Sequence, residues 1–419
     1  MHGFIFLNEW EKQAIDSAVF QRLHYIHQLG VAYLVYPGAT HSRFEHSLGV
    51  MHIATQIYNR LLQKHVDLQN EEDFVSYWRQ IVRMAALCHD LGHLPFSHVA
   101  EKAILGTEGH EKWTLQMIQS SHLLPLWEQL QKQYPDECVL EDIVKVSIGE
   151  EKLRQISALW KEIPFSPWER VMSAVITGDF FGADRIDYLL RDARCTGASY
   201  GLFDYHQLIE MLCILPDKKA GPDELTLGIE ENGLESCEAM LLARHFMYKR
   251  VYQYPSVKGY SFHMSRFMQA LYAERGYLAS SDSYLSVSDS EVLVEMRKAL
   301  QDPHYLGHQD ALALQGKDFR FHVLELPKDV SSDLLMQMQQ DLGLTTKEIQ
   351  WHIAQKKEEE QNFSFPVLKK NDSIVDARQC SEIPIPSFSR NWVYIDPLHS
   401  GILQKKLEDH LHSTQGERS

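Results

Sequence analysis

Apolar residues recur at three- and four-residue steps through the first three quarters of the chain, the spacing of one buried face on a helix. The clearest stripe follows Glu45, where Val50, Ile53, Ala54, Ile57, Tyr58, Leu61 and Leu62 share a face. A second helix is predicted from about Phe74 to Asp90, with Ile81, Val82 and Ala85 inward. A third is predicted from Pro167 towards Arg194, and a fourth from Leu234 to Tyr254. Pro216 to Pro222, with Gly221 and several charges, reads as a loop. From Asn8 to about Ala313 the pattern is otherwise helical almost throughout.

The pattern changes near Asp318. Phe319, Phe321 and Val323 alternate with Arg320 and His322, as in a half-buried strand that Pro327 would end. Ser331 or Ser332 is placed to cap a helix through Leu342, and Thr345 or Thr346 another that ends in the solvated run KKEEE. A second strand is predicted at Trp392 to Ile395, a last helix after Pro397, and a frayed end at QGERS. The fold class expected is mainly α: helical residues 1–317, then a small C-terminal α+β domain, 318–419.

Composition narrows the function. The 419 residues are 44% hydrophobic and 23% charged, ordinary for a globular protein, and no apolar run approaches the ~20 residues of a membrane helix. MHGFIFLNEW has no basic flank and no small-residue cleavage site, so it does not read as a signal peptide. A net charge of −16 disfavours nucleic acid as a main partner. The six cysteines include no CxxC pair, which excludes a thiolate zinc site and points to free thiols in the reducing cytoplasm. Histidine is the outlier: there are 22, many between His41 and His122.

Several of these side chains fall where packing does not explain them. His46 lies four residues before Val50 and continues the apolar stripe. His89 lies four after Ala85, also inward, and Asp90 follows. A carboxylate entering that interior is costly unless paired or metal-bound. Gly92 and Pro95 turn the chain, with His93 and His98 in and after the turn. Asp184, Tyr188 and Asp192 are spaced by four on one helix face, and so are Arg244, Tyr248 and Tyr252. Imidazole and carboxylate without thiolate suit Mn, Fe, Co, Ni or Zn. Such an ion activates water, and spare histidines can protonate a leaving oxygen, the parts needed to hydrolyse a phosphoester.

His46, His89-Asp90 and Asp184 spell H…HD…D, the pattern of the HD-domain metal phosphohydrolases. The longer strings HSRFEHSLGV, LCHDLGHLPFSH, GHE and DRIDYLLRD resemble the branch that contains the deoxynucleoside triphosphate triphosphohydrolases, the sterile-alpha-motif-and-HD-domain type and its bacterial relatives. The resemblance covers Ile15 to about Tyr254 and implies a helical HD-domain fold, with a metal core at about 15–200 and a helical extension at 201–317. It implies that His46, His89, Asp90 and Asp184 bind a divalent metal, Mg among the candidates. His93, His110 and Glu111 would surround the reacting phosphates. His98 would protonate the 5′ oxygen. Arg43, Arg185 and Tyr188 would contact phosphates, with Asp192 near the sugar 3′-hydroxyl. Gln28 and Leu29 would line the sugar and base pocket. Arg244 would be a phosphate contact and Tyr252 a sugar-stacking tyrosine. Tyr248 replaces a histidine of the family.

The implied reaction releases a deoxynucleoside and inorganic triphosphate from a deoxynucleoside triphosphate. The same resemblance implies a homo-oligomer, a dimer or tetramer. Animal members assemble when nucleotides fill allosteric sites. Asp16 and Gln21 match two guanine-reading positions there, but His24 stands where an arginine is expected. Gln207, Glu230 and Asn232 stand in place of phosphate-binding cations. Weak or absent activation by a guanine nucleotide is therefore expected. Two alternatives remain at this point: an HD phosphohydrolase of another nucleotide (a nucleoside monophosphate, ribonucleotide or cyclic dinucleotide), and a non-catalytic nucleotide sensor.

Overall fold

The stripe after Glu45 becomes α1 (Arg43–Lys64), which buries Val50, Ile53, Ala54, Ile57, Tyr58, Leu61 and Leu62. The computed structural model describes the chain except residues 66–70, 218–220, 222–223, 317–319, 328–329, 347, 354–363, 382, 384–389 and 417–419. Next, α2 (Glu72–Cys88) packs along α1 with Ile81, Val82 and Ala85 inward. It ends at Cys88, so His89 and Asp90 stand in the turn that leaves it.

Around this pair lie α3 (Gly109–Ile118), α4 (Val139–Ile148), α5 (Pro167–Thr177) and α6 (Ala183–Thr196). The start of α5 is set by Ser166, whose side chain and Glu169 cap each other's backbone, with Pro167 at the first position. Two close approaches depend on glycine. A Cβ on Gly49 of α1 would stand 1.9 Å from Asp187 Oδ1 of α6. A Cβ on Gly92 would stand 2.2 Å from the His110 carbonyl, so glycine lets the turn after α2 lie against α3.

Further along, α7 (Leu234–Met247) runs into a π-helical turn at Tyr248–Tyr252, then α8 (Pro255–Arg275). The strands are β1 (Leu212–Pro216), β2 (Leu225–Glu230), β3 (His322–Leu326), β4 (Ile349–His352), β5 (Pro366–Leu368), β6 (Ile374–Asp376) and β7 (Asn391–Ile395). One sheet has the order β1-β2-β5-β6 and the other β3-β7-β4. Central β7 is buried at all five residues, so both faces of the sheet are covered along it. A small core of Leu326, Leu335, Ile349, Val393, Ile395 and Leu403 sits on this second sheet. No helix among the described residues is long and apolar enough to cross a membrane.

The molecule is mainly α, with small sheets, and departs from the expected elements at definite points. The helix expected from Pro167 to Arg194 is two, because Gly178 and Gly182 fall between α5 and α6. The region read as helical contains the antiparallel hairpin β1–β2, in register Cys213 to Gly228. The loop expected at 216–222 belongs to that hairpin, with 218–220 and 222 outside the described residues. The strand expected from Phe319 begins at His322, and Phe319 lies outside the described residues. The helix expected after Thr345 is instead β4, and KKEEE lies outside the described residues. At the chain end, the expected fraying of QGERS does not reach Gln415 and Gly416, which close the Pro397–Gly416 helix; Glu417 to Ser419 lie outside the described residues. Finally, 318–419 is not a separate block. Parallel pairing of β5 with β2, Ile229 to Val367, returns that stretch to the helical body.

Candidate active site

Three elements meet at His46. Its ring is fully buried in α1, and Nδ1 is tied to Asp187 Oδ2 of α6 at 2.8 Å. Nε2 therefore faces the other way, where Asp184 Oδ1 lies at 3.0 Å and Asp90 Oδ2 at 3.5 Å. His89 repeats the arrangement. Its Nδ1 donates to the Ala86 carbonyl at 2.8 Å, leaving Nε2 3.4 Å from Asp90 and 3.8 Å from Asp184. Both Nε2 atoms are buried without a well-directed hydrogen bond. Each ring is anchored on its far side and presents a bare nitrogen to carboxylates, the donor chemistry of a cation site. His46, His89 and Asp90 place one ligand atom each within 4.8 Å of one another. Asp184, 31% exposed, closes the set on the open side. Burial alone would lower the His46 pKa, but Asp184, Asp187 and Asp90 outweigh it and raise it to about 10. The surrounding carboxylates thus favour positive charge at this point, which is what a divalent ion supplies.

Asp187 is fully buried and holds more than His46. It accepts from Arg191 Nε at 2.8 Å and a terminal nitrogen at 3.0 Å, and lies 2.6 Å from His2 Nε2.

A second cluster shares Asp90. His93 Nε2 lies 3.0 Å from Asp90 Oδ1, while its Nδ1 is hydrogen-bonded to Glu101 Oε1. The other Glu101 oxygen holds His98 Nδ1 at 2.8 Å and lies 3.3 Å from His110 Nδ1. The His93 and His110 rings stack with centroids 3.7 Å apart. Burial opposes ionisation of Glu101, yet the three histidines hold its carboxyl well below the usual range. Burial, then Arg43, lowers His93 to about 4, while Glu101 overcomes burial to raise His110. His98 is the outlier in exposure: its side chain is 70% open.

The turn that carries His98 is strained. Phe96 and Ser97 are both left-handed, with φ of 57° and 55°, a conformation that persists only when the surroundings impose it. They do: Phe96 N–H donates to Asp289 Oδ1 at 2.6 Å, Ser97 Oγ donates to the His27 carbonyl at 2.6 Å, and Arg43 Nε donates to Ser97 Oγ at 2.8 Å. Asp289 also accepts from the His27 backbone N–H at 2.9 Å, so it ties the loop before Gln28 to the turn before His98.

Two adjoining cavities open here. The first, about 640 Å³, is lined by His89, Asp90, His93, His98, His110, Glu111 and Asp184, and by the cationic Arg43, Lys152, Arg170 and Arg185. The second, about 440 Å³, is lined by Leu29, Ala32, Asp192, Tyr248, Tyr252, Val257, Lys258 and Ser261 among others. Gln28, Arg43, His98 and Tyr188 line both. Asp192 accepts from Tyr252 OH at 2.8 Å and lies 2.8 Å from His41 Nε2.

Most of the residues expected at the active site thus converge, Arg244 excepted, while the possible allosteric residues lie elsewhere. Arg244 lines neither cavity; it is buried with its guanidinium 5.6 Å from the Tyr248 ring centre. Asp16, Gln21 and His24 lie on the N-terminal turns, away from both cavities; Asp16 is exposed, Gln21 donates to the Ile15 carbonyl at 2.9 Å, and exposed His24 stacks on Phe44 at 3.5 Å. The sequence reading missed Glu101, Asp187, His41, Lys152 and Asp289. For two of these a local signal exists: Glu101 is three residues after His98, and Asp187 is four before Arg191.

Residues 43–163 match the family model of the HD domain. The uncharacterized protein MJ1154 of Methanocaldococcus jannaschii is 34% identical over 258 residues, 62% of this chain and 46% of that one. The deoxynucleoside triphosphate triphosphohydrolase SAMHD1 of Homo sapiens is 30% identical over 269 residues, 61% of this chain and 41% of that one. The chain therefore spans less than half the length of these relatives. Among solved structures, a hypothetical protein from Aquifex aeolicus is 28% identical with a TM-score of 0.74, covering 98% of this chain and 97% of its own. A phosphohydrolase from Bacteroides thetaiotaomicron, 21% identical with a TM-score of 0.70, shares the fold over 94% of this chain.

Proposed function

We propose that the chain, whose residues 43–163 match the HD domain, is a metal-dependent phosphohydrolase that hydrolyses deoxynucleoside triphosphates to deoxynucleoside and inorganic triphosphate, working as a homo-oligomer. The observation that carries the reading is the junction of the two cavities. A cation-lined space next to the carboxylate-histidine cluster adjoins a space lined by tyrosine, leucine and alanine, and His98 lies on the wall they share. A nucleoside triphosphate laid across that junction has its 5′ oxygen beside His98. The name of the human relative supports the same substrate class.

His46, His89, Asp90 and Asp184 would hold the divalent ion. When bound, it polarises phosphate oxygens and eases deprotonation of water. Arg43 spends Nε on Ser97 and one terminal nitrogen on Asp90, which leaves the other for a phosphate oxygen. Arg185 and Lys152 add charge along the same cavity. Water adds to the α-phosphorus and the bond to the 5′ oxygen breaks. The departing oxygen takes a proton from His98 Nε2, and the attacking water loses one to solvent, from which His98 is reprotonated. Glu101 accepts the Nδ1 proton of His98 and stabilises the imidazolium, whose Nε2–H is then the donor.

The test is a substrate panel. Purified protein is given each dNTP and NTP with Mn²⁺ or Mg²⁺, and products are read by phosphorus NMR and chromatography. The account expects deoxynucleoside and triphosphate, lost on chelation and in Asp90→Ala. Monophosphate with pyrophosphate, or stepwise orthophosphate, would overturn the substrate pose.

A further inference from the structure

Lys258 is a cation that the mechanism above does not use. It stands in the first turn of α8, its backbone N–H on the Tyr254 carbonyl at 3.0 Å. Its position breaks three local rules. A positive charge near a helix N-terminus opposes the helix dipole. The side chain is half-buried and lines the second cavity. No hydrogen bond or ion pair reaches its ammonium among the described residues. Lys145, a buried lysine of α4, shows the usual remedy: it is paired with Glu141 at 2.7 Å and Glu169 at 2.9 Å. No described residue offsets the desolvation of Lys258.

Its place in the cavity says what could repay it. Lys258 and Ser261, one helical turn apart, line only the second cavity, not the cation-lined one. They therefore lie beyond the wall shared by Gln28, Arg43, His98 and Tyr188. Leu29, Ala32 and Val257 give that end apolar flanks. An apolar slot with a few convergent polar groups suits a flat heterocycle. A lysine ammonium has three donors and no acceptor. Burial lowers its pKa, and no carboxylate counters this.

We propose that Lys258 selects the base, donating to an exocyclic carbonyl oxygen of the nucleobase and so favouring guanine, hypoxanthine or thymine over adenine. This rests on the triphosphohydrolase reading and assigns a residue to its specificity. Adenine puts an amino group where guanine and hypoxanthine put a carbonyl oxygen. Donor then meets donor, and the lysine stays unpaired in the closed slot. A phosphate is the weaker partner, because the phosphate end has its own Arg43, Lys152 and Arg185.

The sharpest substrates are dITP and dATP, which differ at position 6 of the purine. Turnover of either to nucleoside and triphosphate establishes the reaction; their ratio tests Lys258. The wild-type chain should favour dITP in kcat/KM by more than about tenfold. Lys258→Met should bring the ratio towards one, chiefly by raising KM for dITP, and Lys258→Glu should turn it towards dATP. Lys258→Arg, which keeps the donors, should retain the preference. A folding defect lowers both substrates alike and leaves the ratio unmoved. A wild-type ratio near one, or a ratio unchanged in Lys258→Met, overturns the assignment. If no nucleotide turns over, deoxyinosine and deoxyadenosine binding by calorimetry replaces kcat/KM, and equal or absent binding overturns it too.

Discussion

One carboxylate, Glu101, holds three imidazoles, and this sets what each histidine can do. It takes Nδ1 of His98 at 2.8 Å and leaves that ring's other nitrogen facing both cavities. Glu101→Gln keeps the shape and removes the charge. The expected outcome is a loss of about 10²–10⁴ in kcat with KM nearly unchanged, since general acid catalysis contributes on that scale. A variant that retained a tenth of the wild-type kcat would show that His98 does not need it. His46, His89, Asp90 and Asp184 were legible in the sequence as a set, because a single inward histidine is an ordinary core residue but two with neighbouring aspartates are not. Glu101 was not legible, because it sits in a four-residue helix, Glu101–Ile104, too short to show a face. Asp187 lies within DRIDYLLRD but off the face of Asp184, Tyr188 and Asp192, so the four-residue spacing of that face gives it no signal. Asp289 carries no local signal at all: its partners His27 and Phe96 are 262 and 193 residues away in sequence.

At the scale of elements, long amphipathic helices were the easy part. Apolar stripes fixed α1 and α2 to within a few residues, and Ser331 caps its helix as expected. The β1–β2 hairpin escaped because short apolar runs such as LCILP have no period that separates strand from buried helix. β4 escaped for a related reason: four residues, Ile349–His352, become a strand by pairing with distant β7. The packing of α2, α4 and α5 also buries ionisable groups. Tyr77 OH donates to Asp142, which shares its surroundings with Glu169. Burial first, then Glu169, raises the Asp142 carboxyl to about 7. Between the ordinary carboxylate pKa of about 3.9 and that value, the folded chain keeps a proton that the unfolded chain has lost. Stability therefore falls as pH rises through this window. Thermal midpoints from pH 4 to 8 should decline by several degrees less in Asp142→Asn than in the wild type. Parallel declines would remove Asp142 from the account.

At the scale of the whole molecule, the C-terminal stretch is woven into the rest rather than appended. β5 and β6 extend the β1–β2 sheet, and Trp392 of β7 donates to Gln253, the residue after Tyr252, at 3.2 Å. The resemblance implies a guanine site at the N-terminal turns, with Glu230 in place of a phosphate-binding cation. His24 is spent on Phe44, and Glu230 is an acid paired with Lys64 at 2.6 Å. Added GTP should change dNTP turnover by less than about twofold, because a site short of cations loses most of its charge-assisted bonds. A large acceleration abolished by His24→Ala would contradict this. The central claim is that water attacks phosphorus and the nucleoside leaves through its own oxygen. Hydrolysis of a dNTP in ¹⁸O-water, with both products read by mass spectrometry, tests it most directly. The account predicts one labelled oxygen in the triphosphate and none in the deoxynucleoside. Label in the 5′-hydroxyl, or a labelled monophosphate beside pyrophosphate, would contradict it.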